Sequence, residues 1–170
     1  MTDIGKMTID TPSDREIVMT RVFDAPRQML FDAFTKPELV PRWLTGRPDH
    51  SMPICEIDLR VGGAYRYVWR GPDGQEMSSK GIFREVVPPE RVVASERFEP
   101  SWYEGELLNT TTFVEAGGKT TVTLHMQCGS KEIRDGILKS GMERGVAFSF
   151  DQLEEMLASL PDVKAPQLAK

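Results

Sequence analysis

The stretch Thr120-Thr121-Val122-Thr123-Leu124-His125-Met126-Gln127, with Cys128-Gly129-Ser130 and residues 131–160 behind it, decides the fold. Its first eight residues alternate, placing Val122, Leu124 and Met126 on one face and His125 on the other, the period-two signature of a strand. Beyond Ser130 the period changes. Ile133, Ile137 and Leu138, then Met142, Val146, Ser149/Phe150, Leu153, Met156, Leu157 and Leu160 recur at helical spacing. Gly136, Gly141 and Gly145 each cost about 1 kcal/mol relative to alanine inside a helix. A weak or kinked first part is therefore expected, with a firm helix from about Met142, and the small residues let another element approach closely. Pro161 ends the helix, leaving a tail over 161–170.

Upstream of this corner the chain reads as strands joined by turns. Ala116-Gly117-Gly118-Lys119 is a hairpin turn between Leu107–Glu115 and the quoted strand. Arg91–Phe98, Met77–Val87 and Pro53–Leu59 read as further strands. In Tyr65-Arg66-Tyr67-Val68-Trp69-Arg70 the period of two places three aromatic residues on one face, and Gly71-Pro72-Asp73-Gly74 is a turn. Ile17–Phe23 is rich in β-branched and apolar residues and reads as the first strand. A helix over Gln28–Phe34 follows, with Pro26 in its first turn. A second short helix carries Leu39, Val40, Trp43 and Leu44. Residues 1–14 are polar and aperiodic and are expected to form a flexible arm before a single domain over 15–160. The fold class is α+β: a curved antiparallel sheet of about seven strands wrapped around a long C-terminal helix, with two short helices after the first strand.

The chain has 170 residues, enough for one domain with its own core. With 21 basic and 26 acidic residues the net charge is −5, which disfavours nucleic acid as a partner. No run approaches the ~18 apolar residues of a membrane span, and the N-terminus lacks the pattern of a secretory signal. A cytoplasmic location is expected, with Cys55 and Cys128 as free thiols.

Few residues combine into chemistry. Gly117-Gly118-Lys119-Thr120 lacks the upstream glycine and the following helix of a phosphate loop, Phe113 standing where the glycine belongs. His50 and His125 form no zinc-binding pair, so neither a metal nor a cofactor is implied. Glu96, Glu99, Glu104 and Glu106 read as a solvated acidic rim. No catalytic constellation is visible. The aromatic set carries more. Trp43, Tyr65, Tyr67, Trp69, Phe83 and Phe113, with Met126, Met142, Val146 and Phe150, lie on elements that surround the long helix. Apolar walls with a few polar handles describe a site for a small, largely apolar molecule.

Ordered motifs also carry a family resemblance. Arg21-Val22-Phe23-Asp24-Ala25-Pro26, Phe31-Asp32-Ala33-Phe34-Thr35, Pro37-Glu38-Leu39 and Arg42-Trp43 resemble the opening of the START-like, or SRPBCC, superfamily. Asp58–Arg66, Gly81–Arg91, and Gly141-Met142 and Gly145 with Asp151-Gln152-Leu153 resemble the later signatures of the group related to the activator of heat-shock protein 90 ATPase. The resemblance implies the helix-grip fold and a cavity between sheet and C-terminal helix. It leaves three functions open: binding of a small apolar ligand, a stress-related chaperone partnership, or an enzyme such as a cyclase or hydrolase using Tyr65, Tyr67 or Glu96. In two respects the chain departs from the group. Val146 follows Gly145 where the group often has tryptophan, and only residues 1–14 stand where eukaryotic chaperone activators carry an N-terminal domain.

Overall fold

The computed structural model describes residues 2–160. Nine strands form one antiparallel sheet: β1 Thr2–Ile4, β2 Met7–Asp10, β3 Glu16–Phe23, β4 Ser51–Ile57, β5 Ala64–Arg70, β6 Glu76–Val87, β7 Arg91–Glu99, β8 Leu107–Ala116 and β9 Lys119–Gln127. Their order across the sheet is β1-β2-β3-β9-β8-β7-β6-β5-β4. Three helices complete the fold: α1 Arg27–Thr35, α2 Lys131–Lys139 and α3 Met142–Ala158. The sheet is a meander except where β3 meets β9, pairing Phe23 with Thr120 through to Glu16 with Gln127. That pairing brings the start of the domain beside the strand that leads into the terminal helices.

Two expectations are corrected. Within the expected arm over 1–14, residues 2–10 are not loose: β1 and β2 form a hairpin paired to β3, and Met7 and Ile9 are buried. The strand count rises from about seven to nine for the same reason. An unpaired β3 would expose a row of backbone donors and acceptors, which β2 covers. With only Met7 and Ile9 on the inner face, the alternation in β2 is too short to read as a period. The second short helix reduces to a 3-10 turn over Val40–Arg42, in which Pro41 removes a backbone donor. The tail expected over 161–170 lies outside the described residues.

The kink expected before Met142 is a full break. Ser130 caps α2, its hydroxyl accepting from the Ile133 amide at 3.2 Å. Gly141, at φ +84°, separates α2 from α3 in a left-handed conformation that strains other residues. The close approach expected at small residues occurs at Gly136, where the Trp102 ring lies so near that an added Cβ would stand 2.3 Å from it; at Gly145 the Gly46 carbonyl would be in ordinary contact, 3.7 Å away.

The main core packs β3, β8 and β9 against α1 and α3. Phe31 and Phe34 meet Phe113 edge-on, with centroids 5.6 and 5.3 Å apart, and Phe23 meets Phe150 at 5.4 Å. Arg21 reaches inward from β3 with only 1% of its side chain exposed, bonding Asp151 at 2.7 Å and Glu154 on α3. Lys6 on the N-terminal hairpin bonds the same Glu154 at 3.0 Å. Among the described residues no helix is long and apolar enough to cross a membrane.

Candidate functional site

Strand parity sets what faces the helices. On β5, Tyr65, Tyr67 and Trp69 point inward, opposite Gly81, Ser79 and Met77 of β6. Cys55 of β4 pairs with Tyr67 and shares its face. Ser79 pairs with Phe98 of β7. Glu96 lies two residues from Phe98 and so shares this inner face. Asn109 of β8 stands between Ala94 of β7 and Met126 of β9.

The expected ligand-binding residues divide into two groups. Trp43, Phe113 and Phe150 belong to the main core. Each is about 1% exposed, and the Trp43 indole donates to the Ala33 carbonyl at 2.9 Å. Met126 is also buried among core side chains. The second group surrounds β5. Tyr65 packs on Tyr67 at 5.0 Å and Phe83 at 5.7 Å, and its hydroxyl donates to the Ser95 carbonyl at 3.0 Å. Trp69 stacks on Phe98, and its indole donates to the Leu44 carbonyl at 2.7 Å. The following loop is tied to α3, where Ser149 accepts from the Gly46 amide at 3.0 Å. Met142 and Val146, in the first half of α3, are only partly buried.

Glu96 departs most from its expected place. It is not part of a rim but lies inside. One carboxylate oxygen accepts from Asn109 Nδ2 at 2.7 Å and the other from the Ser79 hydroxyl at 3.0 Å. Burial pushes its pKa up, opposed by these two hydrogen bonds. Burial also pushes up the hydroxyl of Tyr67, with smaller contributions from Cys55 and Glu96. The Cys55 thiol is pushed up to about 11, first by burial and then by Glu56. It is therefore a thiol near neutrality and a poor nucleophile. Tyr65, raised mainly by burial, and Tyr67 hold their protons too tightly to donate them readily.

Asn109, Ser79 and Tyr103 were missed in the sequence. Tyr103, in the loop 100–106 beside Trp102, is 8% exposed, and among the described residues its hydroxyl has no hydrogen-bond partner. Asn109 Oδ1 is likewise buried without a partner. The signal for Glu96 was present, since it shares the parity of Val92, Ala94 and Phe98. A loop tyrosine folded inward carries no such signal.

Glu96 and Tyr67 are only partly buried. Trp69 and Phe98 on the same face are likewise only partly buried, whereas Tyr65 and Phe83 are buried. Two concavities open elsewhere. One of about 330 Å³ lies between the N-terminal hairpin and the α2–α3 junction, beside Ile4, Ile9, Leu138 and Glu143. The other, of about 350 Å³, lies on the outer face around Arg66, Lys80 and Arg97. His125 faces outward and pairs with Glu16, while His50 pairs with Asp49 in its loop. Among the described residues no group of three or more His, Cys, Asp or Glu side chains could hold a metal ion.

The arrangement has close structural counterparts. A Rhodobacter sphaeroides protein is 30% identical, with a TM-score of 0.84 over 91% of this chain and 99% of its own. A Mycobacterium smegmatis protein is 23% identical, with a TM-score of 0.80 over 88% of this chain and 95% of its own. An HSP90 activator from Plasmodium falciparum is 21% identical, with a TM-score of 0.62 over 85% of this chain and 96% of its own. No curated protein matches the sequence. The family model for the activator of Hsp90 ATPase homolog 1-like protein matches residues 24–158, from the end of β3 to the end of α3, and the chain belongs to that family.

Proposed function

We propose that the protein binds a small, largely apolar molecule between the concave face of the sheet and α3. The observation that carries this reading is the uneven burial of the aromatic side chains on the concave face. Protein interiors are normally close-packed. Here Trp43, Phe113 and Phe150 are each about 1% exposed, whereas Tyr67, Trp69 and Phe98 are only partly buried. Tyr67, Trp69 and Phe98 supply aromatic surface, and Met142 and Val146 supply adaptable walls on α3. Mass spectrometry of the purified protein, native and then denatured, tests the reading. A stoichiometric apolar compound is the expected result. Trp69→Ala and Met142→Trp should each change affinity for that compound, and unchanged affinity in both would remove this interior as its site.

A chaperone-directed role is the second reading. It is favoured by the family match and by the fold shared with the Plasmodium falciparum HSP90 activator. The acidic net charge suits a contact strengthened at low salt. A pull-down with a heat-shock protein 90 homologue should then retain the protein at low ionic strength and release it as salt rises. No retention at low salt would remove this role. Either reading suits a cytoplasmic location.

A further inference from the structure

We propose that the concavity on the outer face of the sheet binds a small phosphate monoester with an apolar body. This site lies on the face opposite α3 and is independent of what the interior binds. Strand register builds it. Arg66 of β5 stands opposite Lys80 of β6, and Lys80 stands opposite Arg97 of β7. Neighbouring strands are about 4.8 Å apart, so three cations leave the sheet in one row about 10 Å long. Arg66 and Lys80 are exposed and Arg97 is half-buried, and all three line the concavity. Like charges set directly opposite one another destabilise a sheet. With a net charge of −5, the chain has no general excess of basic residues to produce such a row.

The carboxylates nearby leave the row poorly compensated. Glu56 stands opposite Arg66 across β4 and β5, but among the described residues Arg66 forms no ion pair. Glu106 pairs with Arg84 at 3.6 Å rather than with Arg97, and Lys80 reaches Glu99 only at 3.5 Å. Exposed pairs of this kind contribute little and yield to a better anion. Arg97 gives one N–H to the Gly105 carbonyl at 2.9 Å, which anchors its guanidinium beside the loop 100–106.

Shape and charge together narrow the ligand. At about 350 Å³ the concavity is at the small end of ligand sites. Ala64 and Ile82 pair with each other two residues along from Arg66 and Lys80, so they share the outer face and lay an apolar floor beside the cations. A phosphate monoester brings three terminal oxygens and close to two negative charges at neutral pH, enough to meet donors from all three strands. Its apolar group then rests on Ala64 and Ile82. A carboxylate has one charge and two oxygens for the same three cations. An extended acidic chain along the row would run onto Glu56 at one end and Glu106 at the other.

The test is calorimetric titration of the full chain at pH 7.5 with 1-naphthyl phosphate, 1-naphthoate, inorganic phosphate and a glutamate hexapeptide. Wild type, Arg66→Gln and Lys80→Gln are compared. Both side chains are exposed, so each variant should melt within about 2 °C of wild type. In wild type, 1-naphthyl phosphate should bind at least about fivefold more tightly than 1-naphthoate or inorganic phosphate. Each variant should weaken it about threefold or more. Raising sodium chloride from about 20 to about 200 mM should weaken it as well. Undiminished binding in both variants would place the ester elsewhere and overturn the site. Equal binding of 1-naphthoate or inorganic phosphate would overturn the phosphate monoester as its ligand. Tightest binding of the hexapeptide would make the row a protein contact instead, and no binding of the ester at about millimolar concentration would remove the proposal.

Discussion

Arg21 fastens the wall of the candidate site to the sheet, and its removal should cost less than the removal of its partners. The guanidinium is 1% exposed, whereas Asp151 and Glu154 are 64% and 44% exposed. In Asp151→Ala/Glu154→Ala the cation stays in the interior with no counter-charge. Breaking a buried pair in that way costs about 3–5 kcal/mol. Arg21→Met removes the buried charge itself. The stranded carboxylates already face water and regain hydration, and the methionine retains much of the apolar stem. Arg21→Met should therefore cost less than about 1.5 kcal/mol, in the range of volume-conserving core changes. The assay is urea unfolding of wild type, both variants and the triple variant at pH 7. The triple variant should be more stable than the double, since it removes the uncompensated charge. If Arg21→Met destabilises as much as the double variant, the buried cation is a net stabiliser and the reasoning is wrong.

Other expectations follow from single contacts. An added Cβ at Gly81 would stand 1.8 Å from the Ser95 carbonyl oxygen and 2.7 Å from the Tyr65 ring. Gly81→Ala should therefore cost about 3 kcal/mol or more by urea unfolding, and a loss below about 1 kcal/mol would contradict the close approach. Gly141→Ala places a side chain at φ +84° and should cost about 1–2 kcal/mol, with an unchanged melting temperature as the contrary result. The raised pKa of Glu96 means that the native state binds more protons than the unfolded state above the unfolded carboxylate's pKa. Its contribution to stability is thus lost as pH rises from that value through the folded pKa. Glu96→Gln should abolish this loss, so that the variant gains on wild type with rising pH and then levels off. Parallel melting curves from pH 4.5 to 8 would show that Glu96 titrates alike in both states.

Much of the candidate site was legible as parity and little as depth. Tyr65, Tyr67 and Trp69 share a face in sequence and in space because β5 carries no bulge against β6. Parity could not tell Trp43 and Phe150, packed solid with Phe34, from the partly buried Tyr67. Glu96 shows the same limit from the other direction. Its parity pointed inward, but a carboxylate among other acidic residues is ordinarily solvated. Ser79 and Asn109 make burial tolerable by donating to both of its oxygens, and they lie 17 and 13 residues away along the chain.

The sequence by itself determined the order of β3 to β9 with α1 and the terminal helical region, the hairpin at Gly117-Gly118 and a weak point among the glycines before Met142. These depend on residues near one another in the chain: a period, a turn, or a glycine whose φ is positive. The tertiary structure alone decided that residues 2–10 extend the sheet beyond β3, that Arg21 meets α3, and that Glu96 meets Ser79 and Asn109 inside. Each of those depends on which distant segment supplies the partner for a backbone or charged group. That choice arises only when the sheet has curved around the helix and removed those groups from water.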